Sequence, residues 1–313
     1  MLVLDLTAQL TGSGIPASRL QERAAGAYLG LAVGDALGAT VEFLIPREIL
    51  ETYGVHRDLI GGGWLKLRKG QVTDDTEMSL ALGQAILGAG TVAAGPIAAS
   101  FSDWMRHKPV DIGNTVRRGI AHYRQSGETQ VPESHYDAGN GACMRALPIA
   151  LFTLGADAEA VAAANRIQSH TTHNNALGDA GTLTVLRMVQ AALLGGNRGH
   201  LKDLADALVA QEPAYRYDRR RMENPGGFLV ETLKAVFQSL FATDCFEGAL
   251  IDVVNRGGDA DTSGAILGMI AGALYGPEQI PRRWLAALDQ KVAAACRAQA
   301  GALLALSPQC RSG

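Results

Sequence analysis

Apolar residues recur at intervals of three and four over most of the chain, the period of one face of an α-helix. This pattern predicts helices over residues 74–90, 94–107, 141–154, 157–168, 176–195, 201–211, 227–241, 245–255, 262–275 and 282–306. Alternating runs of Val, Ile and Thr, the mark of a half-buried strand, are scarce. Turn-forming clusters separate the periodic stretches: Gly61-Gly62-Gly63, Gly139-Asn140-Gly141, Asn224-Pro225-Gly226-Gly227 and Gly257-Gly258. No low-complexity linker divides the chain, and no boundary between domains is visible.

Two stretches break the ordinary helical pattern. Gly26, Gly30, Gly34 and Gly38 repeat every four residues, and so do Gly264, Gly268, Gly272 and Gly276. An interval of four places each set along one helix face. Glycine inside a helix costs roughly 0.8–1.0 kcal/mol relative to alanine, so a stripe of them needs a structural reason. Close approach of a neighbouring backbone supplies one. A membrane role for the stripes fails, because the apolar runs are too short and Asp35 interrupts the first.

Composition agrees with closely packed helices. Hydrophobic residues make up 47% of the 313, ample for a buried core, yet aromatics are only 5%, so small residues carry the packing. A formal net charge of −3 offers no electrostatic footprint for nucleic acid, which excludes it as a partner. Cys143, Cys245, Cys296 and Cys310 form no C-x-x-C pair and no zinc-ribbon spacing, which points to a reduced, cytoplasmic compartment. The first residues, MLVLDLTAQLTGSG, lack a basic segment and carry Asp5 within the apolar stretch, so they do not read as a signal peptide. Residues 1–20 read as a loose extension.

Two motifs carry candidate chemistry. Thr73-Asp74-Asp75-Thr76-Glu77 opens one predicted helix, and Gly257-Gly258-Asp259-Ala260-Asp261-Thr262 opens another. Each alone is a serviceable N-cap, with acidic residues at the positive helix end. Together they exceed that need, since each places two carboxylates and a hydroxyl at a helix start. If the starts meet, four carboxylates converge. Such a group could not remain ionised at neutral pH without cations, because like charges raise one another's pKa. Two divalent cations would balance it, and all-oxygen ligands favour Mn²⁺ or Mg²⁺ over zinc.

The segments G-A-Y-L-G-L-A-V-G-D-A-L-G-A-T-V-E, T-D-D-T-E-M-S-L, D-I-G-N-T, D-A-G-N-G-A-C-M-R and N-R-G-G-D-A-D-T-S-G-A resemble those of the ADP-ribosylglycohydrolase family. The likeness runs from about Arg23 to about Leu306, leaving 1–22 as an N-terminal extension before a single domain over 23–313. The segments G-G-G-W-L-K-L and V-D-I-G-N-T-V-R-R-G-I narrow it to the nitrogenase-regulating branch. The resemblance implies an all-α, compact orthogonal multi-helix bundle with a dinuclear Mn²⁺ or Mg²⁺ site in a cleft that accepts ADP-ribose. The implied metal ligands are Thr73, Asp74, Asp75, Asp259, Asp261 and Thr262. Glu42 matches an acidic residue near the metals, and Asp111 one at the substrate linkage. Gly113 belongs to the same D-I-G-N-T motif, Gly139, Asn140 and Gly141 to a loop beside ribose and diphosphate, and His173 to the pocket wall.

Read from the residues alone, these further positions carry less. Asp111 is an ordinary helix cap, and His170 and His173 are capping residues unless the pocket claims them. Gly139 to Gly141 could present N–H groups to a phosphate at the start of a helix near Ala142. Tyr217, beside Tyr215, Arg216 and the run Arg219-Arg220-Arg221, belongs either to a solvated loop or to a stacking site for a base or guanidinium.

The expected reaction is hydrolysis of the bond between ribose C1 and an arginine nitrogen, with positive charge building on the sugar. Asp111, then Glu42, would move protons. By resemblance the substrate is ADP-ribosylated dinitrogenase reductase. Control would come through a PII signalling protein and reversible recruitment to the inner membrane by an ammonium channel. Two alternatives remain: a catalytically silent ADP-ribose-binding or structural member of the fold, and a two-metal phosphoesterase acting on the diphosphate.

Overall fold

A computed structural model describes residues 14–311. Chain order begins α1 (Ala17–Gly38), α2 (Pro46–Tyr53), α3 (Asp74–Ala89), α4 (Ala94–Arg106) and α5 (Asn114–Ser126). After a 3₁₀ turn at Asn140–Ala142 come α6 (Leu147–Phe152), α7 (Ala158–Ser169), α8 (Ala176–Leu193) and α9 (Arg198–Gln211). The chain continues through α10 (Leu229–Ala242), α11 (Phe246–Val254), α12 (Ala260–Tyr275), α13 (Arg282–Ala287), α14 (Gln290–Ala305) and α15 (Pro308–Arg311). Among the described residues no strand forms, and the expected all-α bundle is what the sequence builds.

The glycine stripes make the central seam. α1 and α12 run antiparallel with their backbones in contact. A Cβ added at Gly30 would lie 2.1 Å from the Gly268 carbonyl oxygen, and one at Gly34 would lie 2.0 Å from that of Gly264. From the other side, a Cβ at Gly272 would meet the Gly26 oxygen at 2.1 Å. Gly276 leaves the expected stripe: it ends α12 with φ of 84°. Gly38 packs against Ala260 instead, its notional Cβ falling 2.5 Å from the Asp261 Cα. The seam thereby sets the first turn of α12, with its acidic motif, against the last turn of α1.

Other boundaries differ for local reasons. The helix expected over 141–154 survives only as the 3₁₀ turn and α6, with Pro148 in the first turn of α6. The one expected over 282–306 divides into α13 and α14, where Asp289 caps α14 by accepting from the N–H groups of Lys291 and Val292. α2 and α5 have no counterpart among the expected helices. α5 buries only Val116, Gly119 and Ile120, and its charged remainder masks the period. Residues 17–22, expected in the extension, are the first turns of α1 with Leu20 buried, and residues 14–16 precede it without regular structure; residues 1–13 lie outside the described residues.

Candidate metal centre and active-site cleft

Both acidic motifs sit at helix starts, as their spacing requires, but their side chains do not cap. Thr73 is the N-cap of α3 and Asp259 that of α12, and neither makes a side-chain cap hydrogen bond. The residue that organises the first motif is Asp35, fully buried in α1. Its carboxylate accepts from the Thr73 N–H at 3.0 Å, the Thr73 hydroxyl at 2.9 Å, the Thr76 N–H at 3.1 Å and the Thr76 hydroxyl at 2.5 Å. Burial pushes the Asp35 carboxyl up to about 6 against the pull of those bonds. α1 therefore holds α3 through a buried carboxylate and α12 through the glycine seam.

The two motifs meet. The Thr262 hydroxyl donates to Asp75 Oδ2 at 3.3 Å, and the Thr73 hydroxyl lies 3.3 Å from the same oxygen. Asp75 Oδ1 is buried with no hydrogen-bond partner among the described residues. Glu42, Asp111 and Asp261 each bring one carboxylate oxygen to within 4.8 Å of the other two. Glu42 also accepts from the Trp64 indole N–H at 2.7 Å, and Asp259 from the Asn140 amide at 2.8 Å. Asp74 accepts from the Gly113 N–H at 3.3 Å. None of these acids forms a salt bridge among the described residues.

Their proton affinities follow. Burial, then the neighbouring charge of Asp111, raises Asp74 to about 8. Burial raises Glu42 to about 8, with Asp259, Asp111 and Asp74 adding to the shift. Asp75 and Asp261 are held well above the usual carboxylate range by burial and by their acidic neighbours. Asp111, half-buried, is raised mainly by burial.

These acids face a cleft of about 540 Å³. Glu42, Asp74, Asp111, Asp259, Asp261 and Thr262 line it, whereas Thr73 and Asp75 lie beneath it. Gly113, Gly139, Asn140, Gly141 and His173 form other parts of the wall. Asp111 is not the cap of α5; that residue is Gly113, and Asp111 Oδ1 accepts from the next N–H at 2.7 Å. The loop at Gly139 is pinned, with the Asn140 N–H donating to the Gly227 carbonyl at 2.9 Å. Only the three-residue 3₁₀ turn follows it, so the helix start expected near Ala142 is not formed. His173 is buried at the wall and its pKa is pulled to about 3 by desolvation, with Arg145 and Arg118 adding to the effect.

Tyr217 is not brought to the cleft. Its ring packs on Phe237 and Phe241 with centroids 5.4 and 5.7 Å away, and its hydroxyl donates to Asp206 at 2.6 Å. An aromatic ring beside arginines reads alike in sequence whether it stacks on a ligand or anchors a loop to the core, and here it anchors. Conversely, four contributors lie within the segments that resemble the family, yet the sequence reading assigns them no role. Trp64 and Arg117 line the cleft, Arg145 is fully buried behind it, and Asp35 ties α1 to α3. For Asp35 the residue-level signal is an aspartate inside a glycine-striped apolar helix.

The sequence profile described as ADP-ribosylglycohydrolase matches residues 16–312. The chain belongs to the ADP-ribosylglycohydrolase family. It is 49% identical over 290 residues to the ADP-ribosyl-[dinitrogen reductase] glycohydrolase of Rhodospirillum rubrum, covering 92% of this chain and 97% of that one. It is 32% identical to the ADP-ribosylarginine hydrolase Tri1 of Serratia proteamaculans (strain 568), covering 88% of this chain and 78% of the relative. Among solved structures, a chain of an ADP-ribosylglycohydrolase-related protein complex aligns with a TM-score of 0.82 at 32% identity, over 92% of this chain and 99% of that one.

In this ADP-ribosylglycohydrolase the acid cluster is suited to a hard cation. The donors are all oxygens, Arg117 reaches Asp111 only as a distant charge without a salt bridge, and Asp75 Oδ1 is a buried acceptor with no donor among the described residues. A polar atom in that state is rare in a native fold unless an ion or water completes it. The grouping of Glu42, Asp111 and Asp261 shares only Asp261 with the ligand set expected from the motifs.

Proposed function

We propose that this chain hydrolyses the N-glycosidic bond between ADP-ribose and an arginine side chain of a modified protein, dinitrogenase reductase by analogy with the Rhodospirillum relative. The observation that carries the reading is the convergence, beneath a cleft of about 540 Å³, of two acidic helix starts whose own N-cap side chains do not cap them; that volume is within the 300–1,000 Å³ typical of small-molecule pockets. In this reading Thr73, Asp74, Asp75, Asp259, Asp261 and Thr262 hold two divalent cations, Mn²⁺ or Mg²⁺, and residues 23–313 act as one domain. When bound, such ions orient ribose hydroxyls and render a water nucleophilic.

The chain's own groups do the rest. Asp111, at the mouth of the cluster, is the group that passes a proton to the departing guanidine. Glu42 is held by Trp64 and raised to about 8, so at neutral pH it carries a proton in the cation-free protein. It is the second candidate for proton transfer. Gly139, Asn140, Gly141 and His173 wall the side of the cleft assigned to ribose and diphosphate, with Gly113 at the base of α5.

The deciding experiment incubates arginine-ADP-ribosylated dinitrogenase reductase with this protein, with and without Mn²⁺, and identifies both products by mass spectrometry. Free ADP-ribose and unmodified arginine are expected. Release of AMP would assign a phosphoesterase instead, and no turnover would assign a silent binder. The same reading includes control by a PII signalling protein and recruitment to an ammonium channel. No helix among the described residues is long and apolar enough to cross a membrane, so recruitment would run through those partners.

A further inference from the structure

We infer that Arg145 and Thr172 are positioning residues that lock His173 in the Nε2–H tautomer, making it an obligate hydrogen-bond donor to a phosphate oxygen in the cleft. The phosphate rests on the reading of the cleft as an ADP-ribose site, whereas the tautomer does not.

Arg145 is fully buried and forms no salt bridge among the described residues; its guanidinium lies 4.5 Å from the centroid of Phe101. It donates from Nε to the Gln168 side chain at 3.1 Å, and from NH2 to the Gln168 carbonyl at 3.1 Å and the Thr172 hydroxyl at 2.7 Å. A guanidinium has no acceptor, so the Thr172 oxygen can only accept from it. The single Thr172 proton must then go elsewhere. The one other partner of that oxygen among the described residues is His173 Nδ1, at 2.7 Å. Were Nδ1 to carry a proton instead, the Thr172 proton would have no acceptor in a buried site, an arrangement folded proteins avoid. The hydroxyl therefore donates to Nδ1, and the ring proton resides on Nε2.

Among the described residues Nε2 makes no hydrogen bond, and its residue lines the cleft. The ring packs on the glycine loop so closely that a Cβ at Gly139 would fall 3.0 Å from Nε2, and one at Gly141 would fall 2.9 Å from Cε1. Absent side chains at these two positions leave the Nε2–H edge open. Arg145, which has no ion-pair partner among the described residues, and Arg118, which is paired with Asp137 at 2.8 Å, are the charges acting on the ring, and the unpaired Arg145 favours an anionic acceptor over a neutral one. The same surroundings keep the ring neutral, so His173 is neither a proton shuttle nor a cation at working pH.

The test uses ¹⁵N-histidine-labelled protein, with the His173 signals assigned through His173→Gln, and a direct titration with ADP-ribose in the presence of Mn²⁺. In the wild type, Nδ1 should resonate as an acceptor and Nε2 as a protonated nitrogen across pH 6–8. Thr172→Val should give a mixed tautomer and weaken ADP-ribose binding by about 10-fold, the equivalent of one hydrogen bond to a charged group. The loss should fall on Kd and KM more than on kcat. Thr172→Ser, which keeps the hydroxyl, should restore both spectrum and affinity. A wild-type Nδ1–H tautomer, an imidazolium at pH 7, or wild-type affinity in Thr172→Val would overturn the inference. A wild-type protein that binds no ADP-ribose would overturn the assigned ligand together with the reading beneath it, while the nitrogen spectrum would still decide the tautomer.

Discussion

Removing divalent cations should make this protein less stable as pH rises from 6.5 to 8, and saturating cation should abolish that slope. Asp74 and Glu42, buried among other acids, have folded-state pKa values of about 8, against 3.8 and 4.5 in an unfolded chain. Across this window the folded cation-free protein keeps protons that the unfolded chain has lost. A raised pKa contributes stability fully present below the unfolded value and lost as pH climbs through the folded one. Each retained proton is worth about 1.4 kcal/mol per pH unit, so each of these two carboxyls should cost the fold about 2 kcal/mol over the window. Asp75 and Asp261 act in the same direction. The window excludes rival titrations. His56 and His173 are depressed by burial, so they lower stability only below the histidine reference value of 6.5. Cys143 and Cys296, raised to about 12, act only above the thiol reference value of 9.0. Thermal melts followed by circular dichroism, at half-unit pH steps with chelator or with excess Mn²⁺, should show Tm falling by several degrees in chelator alone. A chelated protein whose Tm is flat or rises from pH 6.5 to 8 would refute the reasoning, as would a slope that survives saturating cation.

Three further outcomes follow from the same geometry. Asp75→Ala and Asp259→Ala should each lose bound metal and hydrolysis while keeping helical content, because neither side chain caps its helix; normal turnover with full metal by elemental analysis would remove them from the site. Asp111→Asn should retain metal and still bind modified protein, with single-turnover hydrolysis slowed on the order of 10²–10⁴-fold; a near-normal rate with weakened binding would make Asp111 a guanidinium-binding residue and pass proton transfer to Glu42. Gly34→Ala would place a methyl 2.0 Å from the Gly264 oxygen and should destabilise by about 2 kcal/mol or more in urea titration, despite alanine's higher helix propensity. An unchanged midpoint there would mean the seam is not close-packed.

What the sequence disclosed and what it hid divide along one physical line. Period-four glycines disclosed the α1–α12 seam because close backbone approach admits few other residues. The paired motifs disclosed a site because two carboxylates and a hydroxyl exceed what a helix cap uses. Asp35 stayed hidden as an organiser because its partners, Thr73 and Thr76, lie in another helix. α5 stayed hidden because its buried face is three residues wide in a charged segment. The Arg145–Thr172–His173 chain was illegible for the same reason as Asp35: the direction of a hydrogen bond is a property of tertiary neighbours.

The helix starts themselves raise a question of magnitude. α3 and α12 both present their positive ends to the acids, which could be taken as sufficient compensation. A helix terminus contributes about 0.3–1 kcal/mol to a nearby charge, and about 2 kcal/mol at best. Raising Asp74 from 3.8 to about 8 corresponds to on the order of 5 kcal/mol against ionisation. At pH 7 a pKa of about 8 leaves about 1.4 kcal/mol to be supplied, which two termini could meet for one acid, but Glu42, Asp75 and Asp261 share the site and their charges add to the cost of ionising them together. Arg145, the buried cation nearby, gives Nε and NH2 to Gln168 and Thr172 and leaves NH1 without a hydrogen-bond partner among the described residues, so none of its donors reaches a carboxylate. Ionising the cluster at neutral pH thus requires positive charge from outside the chain. The rigid seam explains how the fold tolerates the arrangement without it: α1 fixes both motifs before any cation arrives, one through Asp35 and the other through glycine contact. Proton release on cation binding is the necessary counterpart, and its count at pH 7, by calorimetry in buffers of different ionisation enthalpy, should exceed one per chain.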